Sequence, residues 1–408
     1  MALNQPRALE YMGCCGVDAL IATSPVNVTY FSGYYCWLDS LHKEFMAVPG
    51  SSGERSFQNI AVLPLDGDLT LVIPAIFAVN AGDLPVSELR LFGNVGLDTF
   101  HTPDELAEPT RRMFDLLDHS AAATSIDALL SILEELGLTT GRIGLEVEGL
   151  PGATREEMVR RVLHAELKDC SNLIRLMRAV KSAQEIEILA RAALEASALA
   201  SFNRPIADLA QHYAVRLAEM GAAVDHFAYG VGGLGIGIHA PYVPGSNDVL
   251  YMDYGCVYQH YVSDAGITLA LNGLSPEMEM RYATLGDVIA TGKDTIRPGI
   301  RASQVQAAML PELERHGPLV SFPHGHGLGL EIRDYLILVP ETGLNIRDGC
   351  IDVPSDLPLE KDVIINLEAG MFMPGIASLQ IEQSFLVTSS GCRALVSQDR
   401  REPYVPGK

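Results

Sequence analysis

Acidic and histidine residues recur inside apolar, β-prone runs through the last third of the chain. They stand in Leu250-Tyr251-Met252-Asp253-Tyr254-Gly255 and Tyr261-Val262-Ser263-Asp264, then in His324-Gly325-His326-Gly327. They end with Ile365-Asn366-Leu367-Glu368-Ala369-Gly370 and Gln380-Ile381-Glu382-Gln383. A carboxylate in such a run is costly to bury unless something positive compensates it. Either each acid is a turn or edge residue facing water, or the set shares a cation. A metal cluster is the simplest shared compensation. Strands bring distant residues together well. Asp253 and Asp264 flank Tyr258-Gln259-His260, as if on neighbouring antiparallel strands, and Glu368 and Glu382 flank Met373-Pro374-Gly375 in the same way. His326 lies between glycines, where the backbone bends freely enough to aim it. Four carboxylates and one imidazole form a hard, oxygen-rich set. It suits manganese, iron, cobalt or zinc in a paired catalytic site, not a closed structural zinc.

The remaining chain bounds the answer. At 408 residues it is too long for one ordinary core, so two domains are expected. A formal charge of −22 argues against nucleic acid and against anionic membrane surfaces. Seven irregularly spaced cysteines without a CxxC fit reduced thiols in a cytoplasm. Cys256 reads either as a catalytic thiol or as a small buried apolar residue. The start of the chain lacks a charged segment followed by an apolar one, and no run of eighteen apolar residues occurs. Neither a signal peptide nor a membrane span is expected, so the expected location is cytoplasmic.

In chain order, residues 1–165 read as an α/β domain and 166–408 as the domain that carries the acidic set. A helix is predicted over 9–15 and a buried strand over 18–23, ended by Ser24-Pro25; residues 27–34 read as a turn-like piece. Runs at 60–65 and 69–73 around Asp66-Gly67-Asp68 signal a hairpin. A helix over 125–136 and a strand over 142–147 follow. Residues 39–58 form a long polar stretch, either a surface excursion or a loop that covers substrate. Ser182-Ala183-Gln184-Glu185 has the capping-box pattern and opens a helix predicted over 183–201. A second helix is predicted over 206–220, ended by Gly221. The glycine-rich residues 229–239 do not open a helix, so no dinucleotide loop is read there. Strands at 249–256 and 259–271, a helix at 275–292, and strands near 336–339, 363–373 and 379–388 complete the reading.

These segments resemble the pita-bread superfamily of methionine aminopeptidase, aminopeptidase P, prolidase and creatinase. The resemblance to the catalytic domain covers about residues 170–390. The first 165 residues look like the smaller domain of aminopeptidase P, prolidase and creatinase. The fold implied is α+β, a C-terminal pita-bread domain behind a smaller N-terminal α/β creatinase-like domain. The family's metal set, two Asp, one His and two Glu, falls on Asp253, Asp264, His326, Glu368 and Glu382, with Asp264 and Glu382 bridging two divalent metals, manganese foremost. A family histidine that contacts substrate falls on His239. Glu368 is expected to take a proton as well as to ligate. The resemblance also implies a homodimer.

The chain departs from the family in places. The peptidases' His-Glu, seven residues after the metal histidine, reads Arg333-Asp334 here. Arg333 either binds a substrate carboxylate or developing negative charge, or pairs structurally with Asp334 or Glu331. The Arg in the family's Asp-Ile-Thr-Arg-Thr is missing from Asp264-Ala265-Gly266-Ile267-Thr268. Residues 341–357 form a longer connection than usual, one that could narrow the pocket. Three readings follow. One is a metal-dependent hydrolase related to aminopeptidase P and prolidase, attacking an amide or a short peptide. The second is a non-peptidase enzyme on small molecules, as in creatinase, ectoine hydrolase or the dimethylsulfoniopropionate lyase. That lyase's extra Asp would fall on Gly255, which argues against its specific activity. The third is a binding protein on a dead scaffold, disfavoured because no ligand is lost.

Overall fold

The structure is a computed structural model. It describes residues 3–40, 58–82, 84, 86, 88–94, 107–118, 122–162, 164–196, 205–233, 242–315, 324–396 and 403–405. His239 and most of the 39–58 stretch lie outside the described residues. Two compact units form. One is Met1–Met177 with Asn345–Val353; the other is Arg178–Leu344 with Pro354–Lys408. Glu166–Asp169, just past the expected 165/166 division, is a strand of the first unit's sheet, paired parallel with Arg142–Leu145.

The first unit is built on a mixed sheet, six-stranded among the described residues. Its strands are β1 (Ala19–Ala22), β2 (Ile60–Pro64), β3 (Thr70–Pro74), β4 (Glu88–Phe92), β5 (Arg142–Leu145) and β6 (Glu166–Asp169), in the order β4-β3-β2-β1-β5-β6. β1 is central and wholly buried, as its unbroken apolar run requires. β2 and β3 form the expected hairpin, with Ile60 opposite Val72. The turn-like reading of 27–34 is corrected: Pro25–Ser32 is a helix, with Ser24 as N-cap and Gly33 as C-cap in the left-handed region. Ser24-Pro25 ends the strand and also starts this helix, because Pro fits the first helical turn. Glu146, buried, accepts from the Thr23 and Ser24 amides and from Asn27 Nδ2, tying the end of β5 to the start of that helix.

The second unit holds a larger antiparallel sheet. Its strands are β7 (Ala223–Val231), β8 (Val249–Tyr258), β9 (Tyr261–Val262), β10 (Ala265–Ala270), β11 (Gly325–Gly327) and β12 (Asp334–Ile337). Between these and the last strands comes a small hairpin, β13 (Asn345–Arg347) and β14 (Asp352–Pro354). β15 (Ile364–Met373), β16 (Ala377–Val387) and β17 (Cys392–Ala394) complete the large sheet, whose order is β12-β11-β15-β16-β10-β8-β7. The single strand expected at 259–271 is split. Gln259 and His260 turn with φ of 47° and 73°, and Ser263-Asp264 interrupts the pairing before β10.

Period-two alternation sorts the two faces. Leu367, Ala369, Met371, Leu379 and Ile381 pack on the helices Pro276–Thr295 and Ala302–Glu314, through Leu285, Val288, Val305 and Met309. Leu250, Met252, Tyr254 and Leu269 share a core with the helix Ile206–Glu219. The intervening residues, Asp253, Gly266, Glu368 and Glu382 among them, face the other way. The capping box at Ser182 and Glu185 forms on the helix Ala183–Ala196, with both reciprocal bonds present. All seven cysteines are unbridged, and Cys256 is fully buried. Among the described residues no helix is long and apolar enough to cross a membrane.

The 341–357 connection is shared between the two units. Asn345–Val353 packs with the first unit. There Asp348 accepts from the Leu173 amide at the start of the helix Ser171–Ala179, where the unpaired amides of a first turn favour an anion.

Candidate metal centre

Strand register assembles the acidic residues. Glu368 on β15 lies directly opposite Glu382 on β16; Glu382 lies opposite Gly266 on β10; and Gly266 lies opposite Asp253 on β8. The four positions form one row across four strands, with glycine in the middle. A Cβ at Gly266 would stand 2.8 Å from Gln380 Nε2 and 2.9 Å from Glu382 Oε2. Glycine is therefore needed for the carboxylates to converge. Asp264, two residues before Gly266, turns onto the same face, and His326 on β11 pairs with Asn366 on β15.

Hydrogen bonds orient the donors. Asn366 Nδ2 and Gln380 Nε2 each donate to one oxygen of Glu382, and Ser384 Oγ donates to Asn366 Oδ1. His326 Nδ1 donates to the Gly327 carbonyl at 3.2 Å, and its Nε2 lies 3.4 Å from Asp264 Oδ2. A second imidazole occupies the opposite side. His226 Nε2 lies 3.0 Å from Asp253 Oδ1 and 3.3 Å from Asp264 Oδ1, and its Nδ1 is 2.8 Å from Asp225 Oδ2. The structure thus contains two groups of three donors with Asp264 in common: His226, Asp253 and Asp264, and Asp264, His326 and Glu382.

The electrostatics fit a cation. Among the described residues Glu368 Oε1 is buried without a hydrogen-bond partner, and Asp264 Oδ1, also buried, has only the His226 imidazole 3.3 Å away. Burial raises Glu368 to about 7, with Asp264 and Asp253 adding to it and His326 and Arg333 opposing. Burial, then Asp264, Asp253 and Glu368, carry Glu382 well above the usual carboxylate range. Asp253 is also raised, by burial first. Asp264 goes the other way, to about 2: burial opposes its ionisation, but contacts with His226 and His326 outweigh it. Burial lowers His226, but its hydrogen bonds to Asp225, Asp253 and Asp264 outweigh that and hold it up at about 12. Acids raised by burial and by one another gain from positive charge placed among them.

Arg333 is exposed and makes no ion pair among the described residues, so the structural pairing with Asp334 or Glu331 is not formed. Those acids are taken. Asp334 pairs with Arg178 and with Lys181 Nζ at 3.0 Å, and Glu331 pairs with Arg178 at 2.8 Å. Arg333 is near enough to Glu368 to favour its ionised form. His324 is buried, and its carbonyl accepts from the Glu368 amide. His226, Arg178 and Lys181 were not singled out from sequence. β7 was read only as a glycine-rich stretch from Tyr229 onward. The signal available was the Asp225-His226 pair inside the otherwise β-prone residues 223–231.

Comparison with known proteins agrees with this architecture. Residues 6–180 match the creatinase/prolidase N-terminal domain, and residues 244–389 match metallopeptidase family M24. The uncharacterized peptidase YqhT of Bacillus subtilis is 24% identical over 409 residues, covering 97% of each chain. The Xaa-Pro dipeptidase of Pyrococcus horikoshii is 25% identical over 273 residues, which is 63% of this chain and 74% of the relative. The crystal structure of X-Pro aminopeptidase from Thermotoga maritima superposes with a TM-score of 0.71 at 17% identity, over 96% of this chain and 98% of that one. The chain belongs to the pita-bread metallopeptidase superfamily, a class of metal-dependent hydrolases. Its matched N-terminal domain puts it with the creatinase and prolidase branch of that superfamily.

Proposed function

We propose that the chain is a dinuclear-metal hydrolase that attacks an amide or a short peptide. The observation that carries this is Asp264, whose two oxygens face donors on opposite sides within a row of convergent carboxylates. Asp253, Asp264, His326, Glu368 and Glu382 are the residues that would hold two divalent ions, with Asp264 and Glu382 shared. Manganese is first choice for so many carboxylates; iron, cobalt and zinc also fit. Such ions acidify a bound water and polarise a carbonyl. Glu368, with one buried oxygen that makes no hydrogen bond among the described residues, would take up a proton from the attacking water. Asn366 and Gln380 fix Glu382, so its geometry does not depend on substrate. His239 is proposed as a substrate-contacting histidine on the family resemblance.

The names of the Xaa-Pro relatives make short proline-containing peptides the first substrates to test. Arg333 supports a second reading, a small molecule with a carboxylate near its scissile bond. An exposed guanidinium with no anionic partner among the described residues, near enough to Glu368 to favour its ionised form, is suited to bidentate carboxylate recognition. The test is metal analysis of protein purified without chelator, followed by turnover of Xaa-Pro dipeptides, tripeptides and N-acyl amino acids with added manganese. Two equivalents of metal with turnover of Xaa-Pro peptides support the peptidase. Tight metal binding with turnover of N-acyl amino acids alone supports the second reading. Absence of bound metal and of metal-stimulated turnover on all of them overturns both.

A further inference from the structure

We propose that His226 is a sixth metal-facing side chain of the centre and gives each of the two metal positions an imidazole. This rests on the metal reading above and extends its ligand set. In the five-residue set the only imidazole, His326, serves one side of Asp264. His226 stands on the other side in nearly the same relation, with Nε2 3.3 Å from Oδ1 where His326 Nε2 is 3.4 Å from Oδ2. Ligand bonds of about 2.0–2.2 Å meeting at roughly tetrahedral or square angles put donor atoms about 3.0–3.4 Å apart. His226 Nε2 meets that spacing to both Asp253 and Asp264.

Two further features suit a ligand better than a chance ion pair. Metal-bound imidazoles donate their other ring N–H to a carboxylate or a carbonyl, which fixes the ring. Here Asp225 receives Nδ1 at 2.8 Å, as the Gly327 carbonyl does for His326. The backbone also makes room for the ring. β7 shifts register between Val224 and His226, a bulge of the kind that re-aims side chains. Opposite it stands Gly255, where a Cβ would lie 2.5 Å from His226 Cε1.

Cobalt titration by calorimetry, read beside the visible ligand-field spectrum, tests this on the full chain. The unsubstituted protein should bind two equivalents. His226→Ala should bind one equivalent unchanged and the other at least ~10-fold more weakly, with an altered spectrum for that ion. If His226 merely neutralised the acids, its removal would free them for metal. Tighter or unchanged binding with an unchanged spectrum overturns the proposal while leaving the metal centre standing. Failure of the unsubstituted protein to bind cobalt overturns both. Should His226→Ala not fold, by circular dichroism, Asp225→Ala reads the same contact from a more exposed position. It should weaken the same single site by roughly 10-fold, and equal binding at both sites overturns the proposal.

Discussion

Replacing Asp334 by alanine removes the anion that two buried cations share. Arg178 and Lys181 are each only 2% exposed, and so is Asp334. Removing one partner of a buried pair costs about 3–5 kcal/mol, because the charge left behind stays desolvated. Arg178 keeps Glu331, whose side chain is 44% exposed and easily rearranged. Lys181 keeps the Arg178 carbonyl at 2.5 Å but loses its ion pair. One cation is therefore stranded instead of two, which places the loss near the lower bound, about 3 kcal/mol. For a unit of this size each kcal/mol lowers Tm by about 2–4 °C, so a fall of about 6–12 °C is expected. Urea unfolding and scanning calorimetry measure it. The companion variant Arg178→Met/Lys181→Met/Asp334→Leu should lie within about 1 kcal/mol of the unsubstituted protein or above it. A fall below 2 °C for Asp334→Ala would refute the reasoning and mean that water replaces the lost carboxylate.

Gly266→Ala should keep the fold but weaken metal binding by about 10-fold or more, since the new methyl displaces Glu382 or Gln380; calorimetric titration reads it. Metal affinity should fall as pH drops. Glu368, raised by burial to about 7, takes up a proton below that pH, and His326, raised by its contacts with Asp264 against burial, also holds its proton more readily, so both compete with metal as pH falls. The apparent affinity at pH 5.5 should be at least ~10-fold below that at pH 8, checked by chelator competition. Arg333→Ala should raise KM for carboxylate-bearing substrates by about 10-fold or more, with little change for their amides, and leave bound metal intact; equal effects on both substrate sets would count against the carboxylate role.

The centre was legible in sequence to the extent that its donors are chemically conspicuous. Asp253, Glu368 and Glu382 announce themselves as acids in apolar strands, and strand period alone puts them on one face. Gly266 does not announce itself: glycine in a strand has many causes, and only the register shows that Glu382 and Asp253 need the space. His226 was missed for a similar reason. A bulge sets its direction, and a bulge has no signature in a single sequence. Arg333 could be framed as a choice between a structural and a substrate role. What decided against the structural pairing was Arg178 and Lys181, about 150 residues earlier, which already hold Asp334 and Glu331. The helix Pro25–Ser32 was lost because Ser-Pro ends a strand and begins a helix with the same two residues.

The excursion Asn345–Val353 has a consequence for the order in which this chain can mature. Its Asp348 caps a helix of the first unit, and the Arg347 carbonyl accepts from Asn172. The first unit is therefore incomplete until residue 353 has left the ribosome, by which time most of the second has been made. An N-terminal half that finishes early, the usual sequence for domains joined by one linker, is denied to this chain. A fragment ending at residue 177 should accordingly be less stable than the same unit in the full chain, and adding a peptide of residues 343–355 should restore part of the difference.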